Sequence, residues 1–274
     1  MKSTKCSEKR AAFRALHKEG CFLLPNPWDV GSARILQSLG FSALATTSTG
    51  YAWTTGRPDY KVELKDVLAH LASFCKSTDL PLNADFESGF AEDTDGLAEN
   101  VGAAVHAGVA GLSIEDRIYG NTSRLYDLKT AAKRVSAARK AIDKLGEDVI
   151  LVARTEGLLE DPNGIKPAVA KLVAFAEAGA DCLYAPGVSK KADIVEIVKA
   201  VSPKPVNILI MGPGLSLKEL EDLGVRRVSV GGALAKVAWG AMLGASQKLK
   251  QGDFSGLAKG ASGQELNEIF GKFV

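Results

Sequence analysis

Three observations predict a closed α/β barrel of eight parallel strand–helix units. Short apolar runs alternate with helical stretches along almost all of the 274 residues. The runs number eight. Several helical stretches end in a glycine just before the next run, at Gly40, Gly108, Gly179 and Gly224. Glycine there supplies the left-handed conformation that ends a helix. Eight such units close into a (β/α)8 barrel of the TIM type. An open doubly wound sheet has the same local pattern, and the count of eight favours the barrel.

A helix over residues 11–18 opens the chain, and the first apolar run follows at 21–25. The other runs fall at 43–48, 81–85, 111–115, 149–155, 181–185, 205–210 and 227–231. Helices are expected over 62–76, 94–107, 129–145, 165–178 and 192–201. After the eighth run the chain stays helical, over 233–250 and again over 264–273. No linker of biased composition divides it, so residues 1–274 are read as one barrel domain with 233–274 as a helical C-terminal extension.

With 46% hydrophobic and 24% charged residues, the chain can bury a large core and is not disordered. A formal net charge of +2, with no dense Lys/Arg run, argues against nucleic acid as a partner. The four cysteines (Cys6, Cys21, Cys75 and Cys182) form no CxxC pair and are read as reduced thiols. The opening Met1-Lys2-Ser3-Thr4-Lys5 has no apolar leader, and no stretch reaches the ~20 apolar residues that cross a bilayer. The expectation is a cytoplasmic protein with no membrane partner.

Charge recurs where the apolar runs end. Asp85 and Glu87 follow Leu80-Pro81-Leu82, Glu115 and Asp116 follow Gly111-Leu112-Ser113-Ile114, and Arg154 and Glu156 follow Val149-Ile150-Leu151-Val152-Ala153. Charge at the end of a buried strand is paired, bound to metal or used. In a parallel barrel these ends converge on one pocket. Asp85 and Glu87 share one side of an extended segment. With Glu115 they offer three carboxylates to a hard cation such as Mg²⁺, which prefers oxygen and keeps several waters. Arg154 can clamp a substrate carboxylate bidentately. Its alternative is a buried ion pair with Glu156 or Glu115. Thr46-Thr47-Ser48-Thr49-Gly50 ends the second run, and its backbone could hold a developing enolate oxygen or be an ordinary turn. Gly231-Gly232 and Met211-Gly212-Pro213-Gly214 are equally ambiguous. Trp28 and Trp53 are expected to pack beside the pocket. His17, His70 and His106 all fall in helical stretches, away from the strand ends, which argues against histidine acid–base chemistry and zinc. No nucleophile elbow, Walker loop or dinucleotide fingerprint is present.

From about Phe22 to Leu243 these motifs resemble the isocitrate lyase/phosphoenolpyruvate mutase superfamily. Ser48-Thr49-Gly50 resembles its oxo-acid-binding loop, and Arg57-Pro58-Asp59 its following loop with an active-site aspartate. Asp85-Phe86-Glu87-Ser88-Gly89 resembles its D-x-D-[ST]-G metal segment, with glutamate replacing the second aspartate. Ile114-Glu115-Asp116 and Ala153-Arg154-Thr155-Glu156 match two more strand-end motifs. The resemblance implies a (β/α)8 barrel, Mg²⁺ with Mn²⁺ as a substitute, and an enolpyruvate-like intermediate. It also implies a homotetramer that exchanges C-terminal helices.

Two departures narrow the reading. The K-[KR]-C-G-[HS] loop of the isocitrate and methylisocitrate lyases is replaced by Arg117-Ile118-Tyr119-Gly120-Asn121-Thr122-Ser123-Arg124, without cysteine. The mutase K-T-N-S motif and phosphoryl-binding histidine are also missing, and Tyr184-Ala185-Pro186-Gly187 follows the sixth run. The leading expectation is a lyase or decarboxylase that breaks a carbon–carbon bond in a small oxo or hydroxy (di)carboxylic acid. By resemblance Asp85, Glu87 and Glu115 serve the metal, while Asp59, Arg154 and Glu115 are catalytic. Ser48, Thr49, Gly50, Arg154, Asn121, Ser123 and Arg124 bind substrate. The alternatives are phosphorus–carbon chemistry on phosphonopyruvate, with Gly120–Arg124 closing over the phosphoryl group, and a non-catalytic oxo-acid binder.

Overall fold

The computed structural model describes residues 4–274; residues 1–3, with which the expected 1–274 domain and the leaderless opening begin, lie outside the described residues. Ten strands are present: β1 (Phe22–Leu24), β2 (Leu44–Ala45), β3 (Leu82–Asp85), β4 (Gly111–Glu115), β5 (Arg117–Ile118), β6 (Asn121–Leu125), β7 (Ile150–Arg154), β8 (Cys182–Tyr184), β9 (Val206–Leu209) and β10 (Arg227–Ser229). Eight lie parallel in the order β1-β10-β9-β8-β7-β4-β3-β2. At the seam between β1 and β2, Ala45 N–H donates to Pro25 O (3.0 Å) and Asn26 Nδ2 to Thr46 O (2.9 Å). The buried Asn26 Oδ1 also accepts from Val230 and Gly231 N–H, both at 2.9 Å. One side chain therefore ties the ends of three strands together and rolls the sheet into the expected (β/α)8 barrel.

The glycines expected to end helices all adopt positive φ: +84° at Gly40, +104° at Gly108, +101° at Gly179 and +88° at Gly224. The first helix runs over Thr4–Leu16 rather than 11–18. Its early turns are too polar to show an apolar period, because their cations cap other helices. Lys9 Nζ donates to Cys75 O (3.0 Å) and Thr78 O (2.6 Å), and Arg10 donates to Val105 O (2.8 Å) and Val109 O (3.0 Å). This helix closes the N-terminal end of the barrel. Phe13 is buried with Leu24, Ile150, Val152 and Cys182. A Cβ on Gly111 would stand 2.7 Å from the Phe13 ring, so only glycine admits it.

Below the strand ends, the barrel interior holds a polar cluster beside these apolar side chains. Arg227 is buried and donates to Asn207 Oδ1 (2.8 Å) and Asn83 Oδ1 (3.3 Å). His17 Nδ1 lies 2.8 Å from Phe13 O and Nε2 lies 3.4 Å from Arg227 Nη1. The carbonyl requires a proton on Nδ1, so Nε2 is the acceptor. This floor was not legible in the sequence, because its four members come from separate segments that meet only when the barrel closes.

One further departure concerns the segment after β4, while the expected helices beyond β10 are present. Residues 117–125, expected as a loop, form an antiparallel hairpin of β5 and β6. Beyond β10, helices cover Ala233–Lys250 and Gly263–Phe270 with a 3-10 turn at Phe254–Lys259 between them. The tail returns to the helix over Val30–Ser38, where the Arg34 guanidinium lies 5.2 Å from the Phe273 ring centroid. Among the described residues no helix is long and apolar enough to cross a membrane.

Candidate active site

The pocket is built where β2, β3, β4 and β7 end. The second apolar run is cut short at Ala45 because Thr47 caps a helix over Ser48–Thr54, its hydroxyl accepting from Gly50 N–H at 3.2 Å. Ser48–Gly50 is therefore a first helical turn, with N–H groups that have no partner within the helix. Ser48 directs both its N–H (3.0 Å) and its hydroxyl (2.9 Å) to Asp85 Oδ2. Asp85 N–H is fixed by Thr46 Oγ1 at 2.8 Å. Gly50 also allows close packing, since a Cβ there would meet Thr47 Cγ2 at 2.6 Å and Trp28 Cβ at 3.0 Å.

A circuit of contacts then runs round the mouth. Arg154 Nη1 lies 3.4 Å from Asp85 Oδ1 and 3.6 Å from Glu115 Oε2, and Nε pairs with Glu156. Tyr60 OH donates to Glu115 Oε1 at 2.8 Å, and Tyr60 N–H donates to Asp59 Oδ1 at 3.1 Å. Thr49 Oγ1 donates to Asp59 Oδ2 at 2.6 Å, returning to the turn that holds Asp85. The structure thus brings together Ser48, Thr49, Gly50, Asp59, Asp85, Glu87, Glu115 and Arg154. Asn121, Ser123 and Arg124 sit instead on the exposed hairpin. There Ser123 Oγ donates to Asn121 Oδ1 at 2.8 Å, and none of the three bonds to the carboxylates among the described residues.

Arg154 makes the buried ion pairs that the sequence offered as one of its two alternatives. It pairs with Glu156, Glu115 and Asp85, yet its Nη2 has no protein partner among the described residues, and the side chain keeps 16% of its surface. Burial pulls its pKa down, but Glu156, Glu115, Tyr184 and Asp85 outweigh burial and raise it, so the cation is permanent. The carboxyls shift the other way. Burial, reinforced by Asp85, Glu115 and Asp59, pushes Glu87 up to about 9. Burial raises Glu115 to about 8 against the pull of Arg154, and it raises Asp59 against the Thr49 hydrogen bond. Burial penalises the charged form of each of these three carboxyls, and their neighbouring acids add to it for Glu87.

Glu87 and Tyr60 adopt left-handed backbone conformations, with φ of +46° and +60°. Such conformations cost about 1–3 kcal/mol for a residue with a side chain and cluster at functional sites. Gly89 at φ +82° completes the turn, and a Cβ there would fall 2.0 Å from Leu97 Cδ1. Asp116, beside Glu115, is structural. It accepts from Thr155 Oγ1 (2.8 Å), Glu156 N–H (2.8 Å) and Lys171 Nζ (2.6 Å), which fixes the turn that carries Glu156.

Several site residues escaped the sequence reading. Tyr60 follows the Arg57-Pro58-Asp59 motif, but nothing local marks its hydroxyl as a partner of Glu115. Tyr184 pairs in register with Arg154, and its ring centroid lies 5.2 Å from the guanidinium. His70, expected to lie away from the strand ends, lines a small cavity together with Asp85 and Glu87, because its helix packs directly behind β3. His17 lies just past the end of the first helix but, as expected, away from the strand ends.

The donor set around Asp85, Glu87 and Glu115 is all oxygen, which suits Mg²⁺ rather than zinc. No three His, Cys, Asp or Glu side chains converge closely enough among the described residues to enclose a metal directly. That spacing fits one directly bound carboxylate with neighbours acting through water. A larger cavity, about 820 Å³, lies at the opposite end of the barrel beside Lys9, Arg10 and Cys75. Its Lys9 and Arg10 already serve helix carbonyls, whereas the acids and Arg154 converge at the strand ends.

The comparisons with known proteins agree on one group. The family model described as phosphoenolpyruvate phosphomutase matches residues 13–250. An oxaloacetate decarboxylase from Paraburkholderia xenovorans is 31% identical, over 96% of this chain and 89% of its own. A 2-methylisocitrate lyase from Escherichia coli is 30% identical, over 73% of this chain and 70% of its own. A solved Burkholderia cenocepacia structure, assigned provisionally as a lyase or mutase, superposes with a TM-score of 0.93. It is 40% identical and covers 97% of this chain and 98% of its own.

Proposed function

The chain belongs to the isocitrate lyase/phosphoenolpyruvate mutase superfamily, and from that premise we propose that it is a Mg²⁺-dependent carbon–carbon lyase or decarboxylase. Its substrate would be a small oxo or hydroxy dicarboxylic acid, cleaved to leave an enolpyruvate-like intermediate. One observation carries this reading: Asp85 is held between Ser48 and Arg154 while the guanidinium keeps Nη2 free for a substrate carboxylate. A charge-assisted pair in so dry a pocket orients the acid and excludes water from its carboxylate.

Asp85 would hold the metal, with Glu87 and Glu115 positioning its water ligands. Bound there, Mg²⁺ supplies Lewis-acid stabilisation of charge on the oxo oxygen. The remaining work falls to the chain. Arg154 fixes the substrate carboxylate, and of the Ser48–Gly50 turn the Thr49 N–H is left for developing negative charge, since the Ser48 and Gly50 N–H groups are held by Asp85 and Thr47. Tyr60 holds Glu115 in place from the opposite side. Asp59, its pKa raised by burial, is the candidate to return a proton to the enolate carbon. Loss of CO₂ needs no acid to protonate the departing carboxylate, so the absent lyase cysteine is no defect. The exposure of Asn121, Ser123 and Arg124 supports the same reading, since phosphoryl transfer would require that hairpin to close over the substrate.

The long helical tail supports a homotetramer, because Val237, Met242, Leu243, Phe254 and Leu257 are exposed on it. Light scattering should give four chains per particle; a monomer at micromolar concentration would remove this part of the proposal.

The activity is tested by proton and phosphorus NMR of enzyme and Mg²⁺ with oxaloacetate, 2-methylisocitrate, isocitrate or phosphonopyruvate, one at a time. Asp85→Ala is the control, since oxaloacetate loses CO₂ spontaneously. Pyruvate formed faster than in that control supports carbon–carbon cleavage. Phosphate or phosphoenolpyruvate from phosphonopyruvate would replace this reading with phosphorus–carbon chemistry.

A further inference from the structure

We infer that His70 is a positioning residue for Glu87, joined to it through one buried water; the role assigned to the pair rests on the metal-dependent reading above. His70 projects from the helix over Leu64–Ser77. Its ring is held rigidly, stacked on Tyr51 (centroids 3.6 Å apart, planes 15° apart) and edge-on to Phe74 (4.5 Å, 66°). Its Nε2 is buried with no protein group within hydrogen-bonding distance. Glu87 lies nearby with a buried side chain and a left-handed backbone, its carbonyl accepts from Glu115 N–H at 2.9 Å, and its carboxyl makes no hydrogen bond or ion pair among the described residues.

Both side chains line one cavity of about 10 Å³, together with Thr46, Thr47, Ser48 and Asp85. That volume matches a single water, which needs two to four polar partners. The imidazole nitrogen, the Glu87 carboxyl and the threonine and serine hydroxyls provide them. A buried imidazole nitrogen left unmet would cost stability, and one water joins it to the Glu87 carboxyl that lines the same cavity. Burial lowers His70 to a pKa of about 4, so the imidazole is neutral and can donate or accept as the water requires.

The consequence is specific to this chain. Glutamate at position 87 has one more torsion than the aspartate usual in this motif, so its carboxylate needs an anchor to stay aimed at the pocket. His70 supplies that anchor from behind, as an outer partner of a carboxylate that would position metal-bound water.

Two measurements test the inference separately from the reading it rests on. In ¹⁵N-histidine-labelled protein without metal, the His70 Nε2 resonance should carry a hydrogen-bonded shift that moves in Glu87→Leu. An unmoved resonance overturns the bridge, whether or not the protein binds any metal. Mn²⁺ binding followed by electron paramagnetic resonance should weaken about 10–100-fold in His70→Phe, which keeps both ring contacts. It should recover in His70→Gln, which regains a hydrogen-bonding group. Equal Mn²⁺ affinity in wild type and a folded His70→Phe protein overturns the positioning role. Loss of Mn²⁺ binding in Asp85→Ala shows that the titration reports this site. A wild-type protein that binds no Mn²⁺ would defeat the metal reading, and the positioning role with it, leaving the bridge to the nitrogen resonance.

Discussion

Acid should destabilise this protein through His17, by an amount that follows from the barrel floor. The ring is 8% exposed, its Nδ1 proton is committed to Phe13 O, and Nε2 faces the Arg227 guanidinium. A second proton would have to sit against that cation in a site closed to water. Burial, then Arg227, lowers the pKa to about 3 from 6.5. Because the folded pKa is depressed, the unfolded chain binds the extra proton first. The stability is therefore fully present above pH 6.5 and is lost as pH falls towards 3. The slope below 6.5 is about 1.4 kcal/mol per pH unit, which gives about 2 kcal/mol between pH 7 and pH 5. The buried acids act in the opposite sense, so the wild-type curve alone does not isolate this group. His17→Gln keeps an acceptor for Arg227 and removes the titration. Urea unfolding of both proteins in EDTA at pH 5, 6, 7 and 8 should show wild type losing about 2 kcal/mol relative to the variant between pH 7 and 5. Stability profiles that stay parallel across that range would refute the assignment.

Without metal, Glu87 and Glu115 titrate at about 9 and 8, so Mg²⁺ must displace protons at neutral pH. Calorimetry in two buffers of different ionisation enthalpy should show proton release at pH 7 and an affinity that rises towards pH 9. Identical heats in the two buffers would contradict it. Arg154→Ala should raise KM about 10–100-fold, the worth of a charge-assisted hydrogen bond, and unchanged KM and kcat would defeat the clamp. Gly89→Ala forces a left-handed alanine against Leu97 and should cost about 2–4 kcal/mol in chemical denaturation. A loss below 1 kcal/mol would mean that the turn relaxes freely.

Much of the frame was legible because it repeats. Each apolar run between helices carries the same burial signal, and Gly40, Gly108, Gly179 and Gly224 mark helix ends through a backbone conformation that other residues resist. The strand-end charges were legible for a related reason: Asp85, Glu115 and Arg154 break apolar runs, and in a parallel barrel all such breaks face one pocket. Where the signal was local and ambiguous, the expectations slipped. The first helix begins seven residues earlier than its apolar period suggests, because Lys9 and Arg10 look like surface charge until the carbonyls they cap are in place. The 117–125 segment carries only a glycine turn between short strands, and it folds as a hairpin that leaves Asn121, Ser123 and Arg124 away from the acids.

By itself the sequence determined the barrel and the convergence of most of the charged groups at one mouth of it. Those follow from periodicity, which a chain records residue by residue. Only the tertiary structure decided which groups share a partner: Tyr60 with Glu115, Asn26 across the seam, His17 under Arg227, and His70 beside Glu87. Each of those pairings spans from 17 to more than 200 residues and joins side chains that are unremarkable in their own segments. The closing of the barrel creates their shared environment, and with it the burial that moves their proton affinities.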